Sequence, residues 1–157
     1  MTIDNYALGQ QHLAIEHHTE ALTIARALGD RRGESHALGD LGLAYAALGD
    51  FHHAIELYEQ QLAIARDTND RRSQGVALNN LGIAHKRQGN IPRAKDCYET
   101  LLALARSIND LHREGTALGN LGVLYAQQGD LRQAVEFYKK RIEIAHEICD
   151  RQGEGNG

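Results

Sequence analysis

The sequence predicts an all-α protein, an alpha-alpha superhelix built from antiparallel helix hairpins. Three observations carry this expectation. Residues 31–70 align without a gap to residues 71–110 at 17 of 40 positions, and to residues 111–150 at 16 of 40. Self-similarity at one fixed period marks a solenoid, whose units bury their apolar faces only against their neighbours. Within a block the apolar residues recur at three and four places, as in Leu38, Leu41 and Tyr45, which is the spacing of a helix face. A single Pro in 157 residues removes the commonest helix breaker.

Taken in order, residues 1–30 read as a partial repeat. Leu8, Gly9, His12, Ala14, Ile15, Glu16, Leu22, Ile24, Ala25 and Arg26 each equal the residue forty places later. The chain is therefore expected to begin inside a repeat, with only a remnant of a first helix. In the full repeat 31–70 the first helix carries Leu38, Leu41 and Tyr45 and ends at Gly49-Asp50. Gly49 suits a left-handed helix end, and Asp50 can accept backbone N–H bonds at the start of the second helix. That helix shows Phe51, Ala54, Ile55, Tyr58, Leu62 and Ala65 on one broad face and stops near Asn69, where Asp70 opens the next repeat.

Repeats 71–110 and 111–150 follow the same plan. Asn90 and Asp130 take the place of Asp50, while Asp30, Asp110 and Asp150 take that of Asp70. Asp130 and Gln133 have capping-box spacing, and Pro92 falls in a first turn, where its missing N–H costs least. Gly42, Gly82 and Gly122 sit in mid-helix, where Gly costs about 1 kcal/mol against Ala. A close crossing of two helices would account for them, with Ala54, Ala94 and Ala134 as the small residues opposite. The last helix is expected from about Leu131 to Cys149, followed by a truncated tail, 151–157, in which Glu154-Gly155 matches Glu114-Gly115. The whole chain, 1–157, reads as one array.

The set Leu41-Gly42, Tyr45, Gly49, Ala54, Tyr58 returns as Leu81-Gly82, His85, Gly89, Ala94, Tyr98 and as Leu121-Gly122, Tyr125, Gly129, Ala134, Tyr138. This pattern resembles the tetratricopeptide repeat (TPR), and the first half-repeat keeps Gly9, Ala14 and His18 of it. The period is forty rather than the usual thirty-four, which would lengthen the second helix by about a turn and a half. The usual aromatic near Leu38 and the usual proline at the repeat end are absent. With its Ala77-Leu78-Asn79-Asn80-Leu81-Gly82 signature, the forty-residue form is similar to the arrays of spindle-orientation adaptors and kinesin light chains. It also resembles bacterial regulatory arrays. The resemblance implies a TPR solenoid acting as a protein–protein interaction scaffold, with the first helices lining a concave groove for a partner peptide.

On that footing, periodicity selects the groove residues. With Leu38, Leu41, Gly42 and Tyr45 on the packing side, His36, Gly39, Leu43, Ala46 and Ala47 face the groove. The next repeats offer Val76, Asn79, Ile83, Lys86 and Arg87, then Thr116, Gly119, Val123, Ala126 and Gln127. Leu43, Ile83 and Val123 form an apolar ladder; Lys86 and Arg87 suit a carboxylate, and Asn79 a peptide backbone. In the adaptor family the asparagine matching Asn80 and Asn120 holds ligand backbone, whereas the first repeat has Asp40 there. The site read from the sequence is thus Leu43, Asn79, Asn80, Ile83, Lys86, Arg87, Asn120, Val123 and Gln127. The paired arginines Arg31-Arg32 and Arg71-Arg72 lie at repeat starts, with nearby acids such as Glu34 as partners.

Other chemistry is not expected. A net charge of -4 gives no overall pull towards nucleic acid or anionic membrane. No apolar run is long enough to span a bilayer, and Met1 to Gln10 lacks the pattern of a secretory signal. The two cysteines, Cys97 and Cys149, make neither a disulfide framework nor a zinc motif, so a reducing, cytoplasmic setting is the default. Among nine His, His12 with Glu16 and His52 with Glu56 have i,i+4 spacing and could share a weak site, but no third ligand is placed. No nucleotide loop or hydrolase elbow occurs. The chain therefore reads as no enzyme, with no catalytic residue, metal or cofactor. The last helix carries Val135, Phe137, Tyr138, Ile142, Ile144, Ala145 and Ile148, and the first segment adds Leu13, Leu22 and Ile24. Such exposed terminal faces predict self-association. Two other functions stay open: a structural self-assembly module, end-to-end or helix-swapped, and a sensor segment of a larger regulator.

Overall fold

The computed structural model describes residues 3–154, with side chains from Gly9 to Arg151; residues 155–157 of the expected tail lie outside the described residues. The described chain is all helix: α1 (Ile3–Leu28), α2 (Arg31–Ala47), α3 (Phe51–Asp67), α4 (Arg71–Arg87), α5 (Ile91–Ser107), α6 (Leu111–Gln127) and α7 (Leu131–Glu154). It divides into two units, Met1–Asn90 and Ile91–Gly157.

In the first unit each helix packs on the next, and α2 also meets α4. The turns are short and built from the expected residues. Gly49 has φ 80°, a left-handed backbone that a Cβ disfavours. It allows the Asp50 N–H to donate back to the Tyr45 carbonyl at 3.0 Å, closing a Schellman-type helix end. Asn69, at φ 53°, plays the same part after α3. Asp30, Asp50 and Asp70 each accept the backbone N–H three residues on, from Gly33, His53 and Ser73. Each so satisfies one orphan donor of a helix start. The core joins Leu22, Ala37, Leu38, Leu41 and Ile64, with Ile15, Tyr45 and Leu57 packed against it.

Successive helices are tied at one recurring place. Arg26 Nε donates to Glu34 at 2.9 Å, and Gln74 Nε2 donates to the Ala65 carbonyl at 3.0 Å. In the second unit Arg106 Nε meets Glu114 at 2.8 Å in the same register. That unit has its own core of Ala94, Tyr98, Leu121 and Leu124, bordered by Ile91, Leu102 and Phe137. Tyr125 stacks on Phe137 at 5.3 Å, and the Lys95 ammonium lies 4.9 Å from the Tyr125 ring centre. Asp110 and Asp130 cap α6 and α7 through the N–H groups of Arg113 and Gln133.

Five expectations are corrected. The first segment is not a remnant followed by a second helix, because α1 runs unbroken through Gly9 and Gln10. Gln10 stands where Asp50, Asn90 and Asp130 stand; it is a good helix former and a poor cap. At the other end α7 continues through Asp150, which therefore caps nothing. Cys149 stands where Gly29, Asn69 and Asn109 take positive φ, a conformation that a Cys side chain resists.

The glycine crossings are close, but a Tyr ring rather than an Ala lies opposite. A Cβ on Gly42 would come within 2.5 Å of Tyr58 Cε1, and one on Gly122 within 2.7 Å of Tyr138 Cε1. Leu22 is not an open end: it is 6% exposed, inside the core. Finally, α2 and α3 are both 17 residues long, so length is shared evenly between the helices of a hairpin.

Candidate functional site

The first unit holds a cleft of about 620 Å³ along α2 and α4. On α2 its wall is Arg32, His36, Gly39, Asp40 and Leu43, residues recurring at three and four places on one face of the helix. On α4 it is Arg72, Ser73, Val76 and Asn80, with Asp70 just before the helix and Gln61 reaching in from α3. The opposite face of α2 packs inward through Leu38, Leu41 and Ala44; of this stripe Arg32, His36, Asp40 and Leu43 are exposed, while Gly39 is buried. Leu43, Val76 and Ile83 stay exposed at 52%, 39% and 38%.

The electrostatics differ along the cleft. Arg32 and Arg72 make no ion pair or side-chain hydrogen bond among the described residues, whereas Arg31 is engaged by Glu34 at 2.9 Å and Asp67 at 3.6 Å. Asp70 is occupied at the start of α4 by the Ser73 N–H and, at 2.9 Å, the Ser73 hydroxyl. The Ser73 N–H chiefly, with the charge of Arg32 among lesser causes, holds the Asp70 carboxyl below its ordinary value. Asp40 lies eight residues beyond Arg32 on α2, with His18 Nδ1 4.0 Å away.

Gln61 was not among the sequence-derived candidates. It is 4% exposed, and its amide oxygen has no hydrogen-bond partner. It fits because Gly39 offers no side chain: a Cβ there would stand 2.5 Å from Gln61 Nε2. In the second unit Gly119 similarly makes room for Arg141, whose Cδ would lie 3.1 Å from an added Cβ. The signal was legible in the repeat, since Gly39 with Gln61 and Gly119 with Arg141 alternate with Asn79 and Leu101 at the same positions. A glycine on the first helix accompanies a long polar side chain on the second.

Of the residues read from the sequence, Leu43 and Asn80 line this cleft. Asn79, Ile83, Lys86 and Arg87 lie on α4 outside its wall, with Asn79 and Lys86 part-buried and Arg87 exposed. Lys86 and Arg87 fall in the last turn of α4, where the helix dipole favours positive charge. In the second unit Asn120 and Val123 are part-buried on α6, and Gln127 is exposed at its end.

Two stretches, residues 3–67 and 73–147, match the family profile described as Tetratricopeptide repeat. The chain belongs to the tetratricopeptide repeat family. The fold is accordingly the all-α, hairpin-repeat fold of the TPR solenoids. Among solved structures it is similar to BtubC (BKLC) from P. vanneervenii, with a TM-score of 0.81 and 21% identity over 89% of this chain. This TPR chain spans 58% of the BtubC chain. Nearly identical TPR-like repeats assigned to a kinesin light chain of Podosopora anserina give a TM-score of 0.74 at 23% identity, covering 88% of this chain and 69% of that one. A Rap protein complexed with Competence and Sporulation Factor gives 0.81 at 20% identity, covering 93% and 41%. No curated protein matches the chain.

No helix of the TPR chain is long and apolar enough to cross a membrane, among the described residues. Nor do three His, Cys, Asp or Glu residues among them gather where they could hold a metal ion. His52 Nε2 and Glu56 are 3.5 Å apart, as their spacing implies, with no further ligand grouped around them.

Proposed function

We propose that this TPR chain is a protein–protein interaction scaffold that takes a partner peptide along the outward faces of its first helices, in a reducing, cytoplasmic setting. In the first unit the contact residues are Leu43, Asn79, Asn80, Ile83, Lys86 and Arg87. On α6 of the second unit the matching residues are Asn120, Val123 and Gln127. One observation carries the reading: the α2–α4 cleft is lined by exposed apolar side chains beside polar groups, the mixture that specific peptide contacts use. The family membership supports it. So does the Rap protein of the same fold, solved with a partner factor. The forty-residue period, with α2, α4 and α6 starting at Arg31, Arg71 and Leu111, supports likeness to the adaptor and kinesin light chain form.

The test replaces Asn79, Lys86 and Arg87 together and measures capture of peptides from a displayed library. The triple variant is expected to lose capture while keeping its helical circular dichroism and its sedimentation. Undiminished capture by a folded triple variant would refute this assignment of the groove.

A second reading, self-assembly through α7, rests on the exposure of Leu131, Val135 and Ile142 at 66%, 48% and 56%. It needs no partner protein, and its test is the oligomeric state.

A further inference from the structure

Two helix faces are open at repeat positions that are closed elsewhere in the chain. On α7, Ile142 is exposed, whereas Leu62 at the same position of α3 is buried. On α1, Ile24 is exposed, whereas Ile64 and Leu104 at its position are buried. Each open residue belongs to an apolar stripe. Leu131, Val135 and Ile142 follow one another at four and seven places along α7. Leu13, Ile24 and Leu28 follow at eleven and four places along α1. Either spacing keeps a set on one side of its helix. Such stripes are what a helix buries against a neighbour.

The charges beside the two stripes have opposite signs. On α1, Glu16 and Glu20 lie one turn apart on the same flank of Leu13 and Ile24. Both are exposed, and neither makes an ion pair among the described residues. On α7, Arg132 follows Leu131 and Arg141 precedes Ile142, which at 3.6 residues per turn sets them on opposite flanks. These two are also exposed and outside any ion pair among the described residues, while Lys139 and Glu136 engage each other at 3.4 Å. Two α7 stripes laid together would set arginine against arginine, whichever way the helices ran. An α7 stripe laid on an α1 stripe puts one arginine on the glutamate flank in either direction. Unlike charges favour an encounter and like charges oppose it, so the pattern selects α1 of a second copy as the cover for α7.

We propose, building on the self-assembly reading above, that copies of this chain join through α7 of one and α1 of another, with Leu131, Val135 and Ile142 packed on Leu13, Ile24 and Leu28. Every contact takes one face of each kind. Two copies can close on each other reciprocally, or further copies can add in a row. Burial of the apolar stripes supplies most of the affinity, and the glutamate–arginine contacts choose the partner face.

The test uses the full chain and two variants, each blocked at one face. Ile24→Gln with Leu28→Gln removes the α1 stripe, and Val135→Glu with Ile142→Glu removes the α7 stripe. All four residues are exposed, so both variants are expected to keep the helical circular dichroism of the parent. Each alone should sediment as a monomer at concentrations where the parent associates. Mixed in equal amounts they should form a one-to-one pair, because each supplies the face the other lacks; that recovery also shows that both are folded. Glu16→Gln with Glu20→Gln should weaken association roughly two- to fivefold, the contribution of an exposed ion pair, and should flatten its decline with added salt. An α1-blocked variant that associates like the parent would overturn the inference and leave self-assembly through α7 alone standing. A mixture that stays monomeric, or a Glu16→Gln, Glu20→Gln variant of parental strength, would overturn the pairing of α7 with α1. A parent that stays monomeric at micromolar concentration would overturn both the inference and the self-assembly reading.

Discussion

Gly42 and Gly122 occupy the same place in their hairpins, yet a methyl added at each meets a different neighbour. Opposite Gly42 is the Tyr58 ring, 2% exposed and closed in on all sides; burial pushes its hydroxyl pKa up to about 12. The ring opposite Gly122 belongs to Tyr138, which is only half-buried and has room to swing. Gly42→Ala is therefore expected to destabilise, since overpacking costs roughly 1–3 kcal/mol and outweighs the gain in helix propensity of about 1 kcal/mol. Gly122→Ala should cost less, or nothing. Urea unfolding of the two variants decides the point, and equal losses would contradict it. The glycines themselves announced a close crossing, but not the residue across from them. In a helix, side chains lean towards the N-terminus, so Tyr58 covers the level of Ala54, one turn before its own backbone. Counting positions finds Ala54, while the side-chain direction places Tyr58.

The helices are bounded by residues that a reader can see. Asp70 shows how much one of them matters to its element. It caps α4 with its carboxylate, and Asp70→Ala should cost about 1 kcal/mol, read as a lower unfolding midpoint. Asp70→Asn keeps a capping oxygen and isolates the effect of charge. Because the folded carboxyl sits below its ordinary value of 3.8, its contribution is fully present above that pH and is lost as pH falls through the folded value. The parent should lose more stability on acidification than Asp70→Asn does; parallel pH curves would refute the assigned shift. The same logic explains the two long helices. Where the cap or the left-handed residue was replaced, by Gln10 in α1 and Cys149 in α7, the helix continued. Those substitutions were visible in the sequence.

At the scale of the whole molecule the open question is what covers α7. Ile142 is 56% exposed, while Leu62, its counterpart on α3, is 8% exposed. A large apolar side chain left in water forgoes roughly 1.5–3 kcal/mol of burial, so Leu131, Val135 and Ile142 together favour association. The chain is expected to sediment above its 17.3 kDa monomer mass, and Val135→Glu with Ile142→Glu should return it to the monomer. A parent that sediments only as monomer at micromolar concentration would remove this second reading while leaving the peptide groove untouched.

What the sequence alone determined is what lies within a few residues of itself. The period, the helix face of Leu38, Leu41 and Tyr45, the turn at Gly49-Asp50 and the caps at Asp30, Asp70 and Asp110 all depend on contacts along one short stretch, and each recurs often enough to be recognised. Tertiary structure decided the rest. Leu22 is buried because Ala37, Leu38, Leu41 and Ile64 close over it from other helices. Gln61 reaches the cleft because Gly39, on a different helix, leaves it room. Burial and access are properties of surfaces assembled from distant residues, so a local pattern can place a side chain on a face, but only the packed neighbours settle whether that face meets protein or a ligand.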